Sequence, residues 1–243
     1  MQVDNLSTFL IGTSGYNYSW NKGKNNKFTW YLDQGFNSVE INGSFYHFPT
    51  SNWINNWKNS SAKEFRFSIK VNRAITHYTR LKGKKSIDLW KNFKKTLEPI
   101  EDRIAFLLFQ MPSTFKFNDD NVERLGTFVK NAELDESAIF EFRDDSWWRR
   151  PSTKELEKLK ITMCSVDAPL LPRRLVNLNN IIYFRLHGAN SWYNYTYSKK
   201  ELRNIIMRLK KKPGSLKAVY LNNDHGMLPN GKFLIQQIIE RDQ

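Results

Sequence analysis

Five short runs of this 243-residue chain set polar side chains two positions apart inside otherwise apolar stretches. In an extended strand, positions i and i+2 share a face. In SVEING, Glu40 and Asn42 therefore oppose Val39 and Ile41, and in FSIKVN, Lys70 and Asn72 oppose Phe67, Ile69 and Val71. Glu141 and Arg143 oppose Phe140 and Phe142, Arg185 and His187 oppose Phe184 and Leu186, and Asn222 and Asp224 oppose Val219 and Leu221. Gln110 and Asp167 join the polar faces of two further runs by the same alternation, while Cys164 falls on an apolar face as inert core. Carboxylates beside cations suit proton transfer on an anionic substrate. Lys70, Arg143 and Arg185 would clamp a phosphate or carboxylate, with Asn42, Asn72 and Gln110 as polar contacts. Glu40 and Glu141 are the candidate bases, Asp167 is a third catalytic carboxylate, and His187 suits an acid, a proton shuttle or a ligand. A buried Lys70 with a lowered pKa also suits a Schiff base. The competing arrangement is a closed ion-pair network in which Glu40, Glu141 and Asp167 neutralise Lys70, Arg143 and Arg185.

Other chemistries find less material. The histidines are His47, His77, His187 and His225, too few for a trinuclear metal cluster. A single divalent ion on Glu141, Asp167 and His187 is the metal arrangement left open, and the neighbouring arginines oppose it. No GxSxG elbow or phosphate-binding Gly-rich loop is present, so the cofactor is unknown. Trp147 and Trp148, followed by Arg149 and Arg150, read either as a base-stacking surface or as a packed rim, and NSWYNYTY from Asn190 to Tyr197 as a lid or stacking platform.

The polar pairs need elements that gather them. Eight β-rich runs begin at Phe9, Ser38, Arg66, Ile104, Ala138, Ile161, Ile181 and Lys217, and seven helical stretches alternate with them: 28–34, 51–58, 86–97, 121–131, 152–159, 199–209 and 231–240. Strands alternating with helices pair in parallel through crossovers. Eight such units predict an α/β (β/α)8 TIM-type barrel occupying residues 1–243 as a single domain. The glycine-rich first turn of a doubly wound sheet is missing. In a barrel the apolar faces pack against outer helices, and the polar faces converge at the C-terminal mouth.

Net charge is +14, and residues 51–100 carry twelve basic side chains against three acidic ones, which favours an anionic or nucleic-acid partner. Cys164 is the sole cysteine, so no disulfide partner exists and a reducing, cytoplasmic setting is expected. Met1–Thr8 lacks the charge and length of a signal peptide, and no run reaches the roughly 20 apolar residues that span a bilayer.

GTSGY, VEINGSFY, FSIKVNRAITH, LFQMPSTF, EFRDDSW, Asp167, FRLHG and LNND occur in the order seen in the YecE-like family, the domain of unknown function 72, and the chain resembles that family from Gly12 to Asn230. The resemblance implies a TIM-type barrel and adds His77 and Asn223 to the pocket residues. Such barrels are distantly similar to those of endonuclease IV and xylose isomerase. Two readings follow. One is an enzyme, hydrolase-like or phosphodiesterase-like, acting on an anionic substrate. The other is a nucleic-acid-binding barrel without turnover.

Overall fold

The computed structural model describes residues 8–239. The expectation for Met1–Thr8 therefore falls, but for Thr8, outside the described residues, as does the last residue of the helix expected at 231–240.

Parallel strands build a (β/α)8 barrel. They are β1 (Phe9–Thr13), β2 (Ser38–Ile41), β3 (Arg66–Lys70), β4 (Ile104–Gln110), β5 (Ala138–Glu141), β6 (Thr162–Met163), β7 (Ser165–Asp167), β8 (Ile181–Leu186) and β9 (Leu216–Leu221). Pairing runs β2-β3-β4-β5-β6 and β7-β8-β9-β1, so β6 and β7 are two pieces of one stave. Cys164 lies between the pieces and donates its N–H to Phe140 O at 2.8 Å, which carries the chain across the break. The other seam is between β1 and β2. There Ser14 bridges Glu40, and Gly15 N–H donates to Glu40 O at 2.7 Å. Gly12 makes that seam possible, because a Cβ on it would lie 2.4 Å from Ser38 O.

Outward-facing Val39, Ile41, Phe67, Ile69 and Phe140 are fully or nearly fully buried, each facing the ring of helices. The ring consists of α1 (Lys27–Leu32), α2 (Gly43–Tyr46), α3 (Ser51–Ser60), α4 (Gly83–Leu97), α5 (Asp119–Asn131), α6 (Arg150–Lys158), α7 (Lys199–Lys211) and α8 (Met227–Ile239). Side-chain caps from Asn26, Thr50, Asn118 and Ser198 fix the starts of α1, α3, α5 and α7 by satisfying free backbone N–H groups. The seven expected helices are present with shifted ends. Besides several 3-10 turns, the single-turn α2 and a π-helical turn over Ala74–Tyr78 are additional. Both follow strands into the mouth.

Inside the barrel the lower layer is aromatic. The Tyr183 and Tyr220 rings lie 5.0 Å apart, and Phe106 meets Tyr183 edge-on at 5.3 Å. Their hydroxyls are paired within hydrogen-bond distance of Ser68 and Ser38, each at 2.7 Å. Among the described residues no helix is long and apolar enough to cross a membrane.

Candidate functional site

Arg185, near the end of β8, points into the barrel and is completely buried. Its two terminal nitrogens bridge the barrel: Nη2 donates to Glu40 Oε1 on β2 at 2.6 Å, and Nη1 to Glu141 Oε2 on β5 at 2.5 Å. Glu40 is saturated further by Ser14 Oγ and by the Tyr183 hydroxyl, each donating at 2.6 Å. Burial pushes the Glu141 carboxyl up, but the Arg143 and Arg185 guanidiniums and His187 overcome that and hold it well below the usual carboxylate range. Glu141 is therefore a buried, ionised counter-charge, and a poor proton acceptor. His187 is buried too, which drives its imidazole down to about 3. Its Nδ1 lies 3.1 Å from the Asn222 amide nitrogen, and its Nε2 lies 3.4 Å from Arg185 Nη1 and 3.5 Å from Glu141 Oε1.

Above this sealed layer the cations are less matched. Arg143 forms an ion pair with Glu141 through Nε, reaches Gln110 Oε1 at 3.4 Å, and lies with its guanidinium carbon 4.4 Å from the Trp192 ring centroid. Lys70 ends β3 with its Nζ 4.3 Å from the centroid of the Phe45 ring, and forms no ion pair among the described residues. Burial and the Arg185 guanidinium push its ammonium down to about 7, against the upward pull of Glu141 and Glu40. The π-helical turn sets His77 in a T-shaped contact with Phe45, ring centroids 5.0 Å apart. Burial, then Lys70 and Arg143, lower His77 to about 4, so it is neutral near pH 7. A groove of about 650 Å³ across the mouth, within the range of small-ligand sites, is lined by His77, Gln110, Arg143, Asp144, Asp145, Leu170 and Trp192 among others. Lys70 is not part of that wall, but Phe45, which its ammonium faces, packs against His77.

The sequence profile described as "Protein of unknown function DUF72" matches residues 10–232, from β1 into α8. The chain belongs to this family. The UPF0759 protein YunF of Bacillus subtilis is 26% identical over 234 residues, covering 83% of each chain. A DUF72 protein from Thermotoga maritima superimposes with a TM-score of 0.83 at 27% identity, covering 96% of this chain and 99% of the other. A xylose isomerase-like TIM barrel from Mycobacterium smegmatis, solved in complex with magnesium, shares the fold alone, with a TM-score of 0.58 at 10% identity over 98% of each chain. In the DUF72 chain the donor set does not fit such an ion. No three His, Cys, Asp or Glu side chains gather among the described residues, and the buried carboxylates Glu40, Glu141 and Asp167 each already hold arginine.

The DUF72 barrel brings Glu40, Lys70, Gln110, Glu141, Arg143, Arg185 and His187 to its mouth and interior, and the π-helical turn adds His77. Asn42 closes the β1 seam by donating to Ser14 O at 3.2 Å. Three expectations are corrected. Asn72 serves the backbone: its amide donates to Ser44 O at 2.9 Å and accepts from Ala74 N at 3.0 Å, anchoring the start of the π-helical turn. Asn223 ties Tyr195 O to Asn230 at 2.7 and 2.9 Å, and it is Asn222 that reaches the interior. In the sixth stave Thr162 aligns with Ile139 and Val166 with Arg185, so the even-numbered residues face inward and Asp167 faces outward, the opposite phase to the one expected. Asp167 turns toward Arg173, 3.0 Å away, whereas Cys164 lies 3.9 Å from Glu141. Burial raises the Asp167 carboxyl against the pull of Arg173, and raises the Cys164 thiol well above its usual range. Of the two readings of Trp147 and Trp148, the packed one holds: both are buried, with Trp147 stacked 4.0 Å from Phe142. The sequence missed Trp192, Tyr193 and Phe45 as site residues, although the aromatic density of NSWYNYTY was its signal for the first two.

Proposed function

We propose that the protein is an enzyme that holds a small anionic substrate in the mouth groove and transfers a proton through Lys70. The observation that carries this is the mismatch between the two layers: Arg185 is matched by Glu40 and Glu141, whereas Lys70 sits above them without a carboxylate of its own. An unpaired, poorly hydrated ammonium is costly unless a ligand supplies the negative charge. Arg143, backed by Trp192, offers a second contact for a carboxylate or phosphate. The chemical role thus passes from Glu40 and Glu141, which brace Arg185, to Lys70, whose proton exchanges near neutral pH.

The test is calorimetric titration with inorganic phosphate, acetate and simple phosphate mono- and diesters, each followed for product, on wild type and Arg143→Ala. Binding that weakens at least about tenfold in Arg143→Ala is expected, since a charge-assisted contact is worth roughly 1.5–3 kcal/mol. No anion bound at low salt would sink the reading.

A second reading, nucleic-acid recognition at the rim, is favoured by one cluster. Arg73 lies 5.3 and 5.6 Å from the rings of Tyr46 and Tyr78, which are 56% and 68% exposed. Exposed Arg80, Lys82, Lys84 and Lys85 follow where the chain turns into α4, at the mouth end of that helix. Stacking rings beside phosphate-binding cations suit a single strand. Salt-dependent binding of a thymidine oligonucleotide, lost in Tyr46→Ala/Tyr78→Ala, would support it.

A further inference from the structure

Lys70 has chemistry beyond proton transfer. Ser44 Oγ donates to the backbone O of Lys70 at 2.6 Å and to Ile41 O at 2.8 Å, so the end of β3 is clamped to the end of β2. The backbone beneath the ammonium is thereby fixed, and Phe45, next to Ser44 in the turn Gly43–Tyr46, supplies its apolar floor. A lysine in an apolar setting beside other cations spends more time as the free amine, which is the nucleophilic form. Burial and the Arg185 charge lower this ammonium to about 7, in line with the geometry.

We infer that Lys70 is a covalent amine nucleophile for carbonyl compounds that carry a carboxylate or phosphate, forming an imine above Phe45 while Arg143 holds the anionic end. The lone pair on Nζ attacks the carbonyl carbon and forms the N–C bond, the C=O π pair moves onto oxygen, and one amine proton follows it to give a carbinolamine. The nitrogen lone pair then forms C=N as the hydroxyl departs with the remaining amine proton, releasing one water. No oxidant or reductant is needed. Protonation of the imine nitrogen turns it into an electron sink, so the adjacent C–H or C–C bond is the one weakened. The inference rests on the mouth groove being an anion pocket, and it names the substrate class for that pocket.

The test uses wild-type protein with glyoxylate or with glycolaldehyde phosphate at pH 7, followed by borohydride reduction, intact mass and peptide mapping. Exposed Lys84 and Lys94 serve as internal controls. The expected result is a reduced adduct on Lys70 in at least roughly tenfold excess over either control, because an ordinary lysine is almost wholly protonated at that pH. Inorganic phosphate should protect Lys70, and Lys70→Arg, checked for an unchanged thermal melt, should lose the adduct. Labelling of Lys84 without Lys70, in protein that binds phosphate through Arg143, would overturn the inference and leave the anion pocket standing. An adduct on Lys70 that phosphate does not protect would uphold the nucleophile and count against the pocket. Preference for one probe over the other tells whether a carboxylate or a phosphate accompanies the carbonyl.

Discussion

Arg185 and Glu141 meet at 2.5 Å with neither side chain exposed to solvent. The contact joins β8 to β5 through the barrel interior, and the second arm of the same guanidinium joins β8 to β2. A planar fork with several donors is what such a bridge requires, and lysine, a point charge, cannot replace it. Two carboxylates against Arg185 leave the buried layer short of positive charge until Arg143 is added. The layer is then balanced, and it acts as a brace beneath the groove.

Removing Arg185 should therefore cost more than an ordinary core substitution. Arg185→Met leaves Glu40 buried without a cation while Glu141 keeps Arg143, and a loss of about 3–5 kcal/mol is expected in urea unfolding. Combining it with Glu40→Gln should recover part of that loss, because the remaining Glu141–Arg143 pair is balanced. A double variant no more stable than the single one would show that packing, not charge, dominates.

The acid limb of stability follows from the same layer. The Glu141 carboxyl is depressed in the folded protein, so its contribution is fully present above its ordinary range near pH 4.5 and is lost as pH falls through its lower folded value. Glu141→Gln should flatten the decline in melting temperature below pH 4.5, relative to wild type. An unchanged acid slope would assign the decline to other carboxylates.

Lys70 works in the opposite direction. Its folded value, about 7, lies below the ordinary 10.5, so the unfolded chain binds more protons between those limits. Stability contributed by this site is lowest below pH 7 and recovers as pH rises from about 7 to 10.5. Lys70→Met should raise stability most at pH 6, at ~1.4 kcal/mol for each unit of depression removed, and least near pH 10. Chemical denaturation at the two pH values measures the difference, and equal effects would contradict a depressed lysine.

Period-two alternation exposed much of this site, because a strand obeys it wherever the strand is regular. Glu40, Glu141, Arg185 and His187 all follow it into the barrel. It failed one or two residues beyond a strand end and where a run did not reveal which face is inward. Asn72 lies past the end of β3, where the backbone already turns toward the π-helical segment. In ITMCSVDAP the alternation itself holds, but the inward face carries Thr162, Cys164 and Val166, so polarity pointed to the wrong face and Asp167 lies outside. The turn Gly43–Tyr46 is too short for helical periodicity to register, so Phe45, the floor beneath Lys70, stayed hidden. The barrel itself was more legible than its rim, since eight repeated units outweigh any one ambiguous segment.

The lid over Arg143 depends on one backbone conformation. Gly188, directly after His187, has φ of 120°, and a Cβ there would lie 2.3 Å from Ser191 O and 2.7 Å from Tyr195 Cβ. The loop folds back so that Tyr193 N–H donates to His187 O at 2.7 Å, which places Trp192 5.2 Å from the His187 ring and beside Arg143. Gly188→Ala adds only a methyl group, yet both the φ region and the clash oppose it, and an alanine forced into such a region costs more than about 1 kcal/mol. The expected outcome is a folded barrel with a displaced loop. Binding of inorganic phosphate should weaken as Arg143 loses its aromatic support, while the acid unfolding limb set by Glu141 stays in place. Trp192→Phe keeps the loop backbone and a ring over the guanidinium, so it should bind phosphate better than Gly188→Ala. If both variants bind as wild type does, the loop at 190–197 is a bystander and Arg143 is positioned by Glu141 and Gln110 alone.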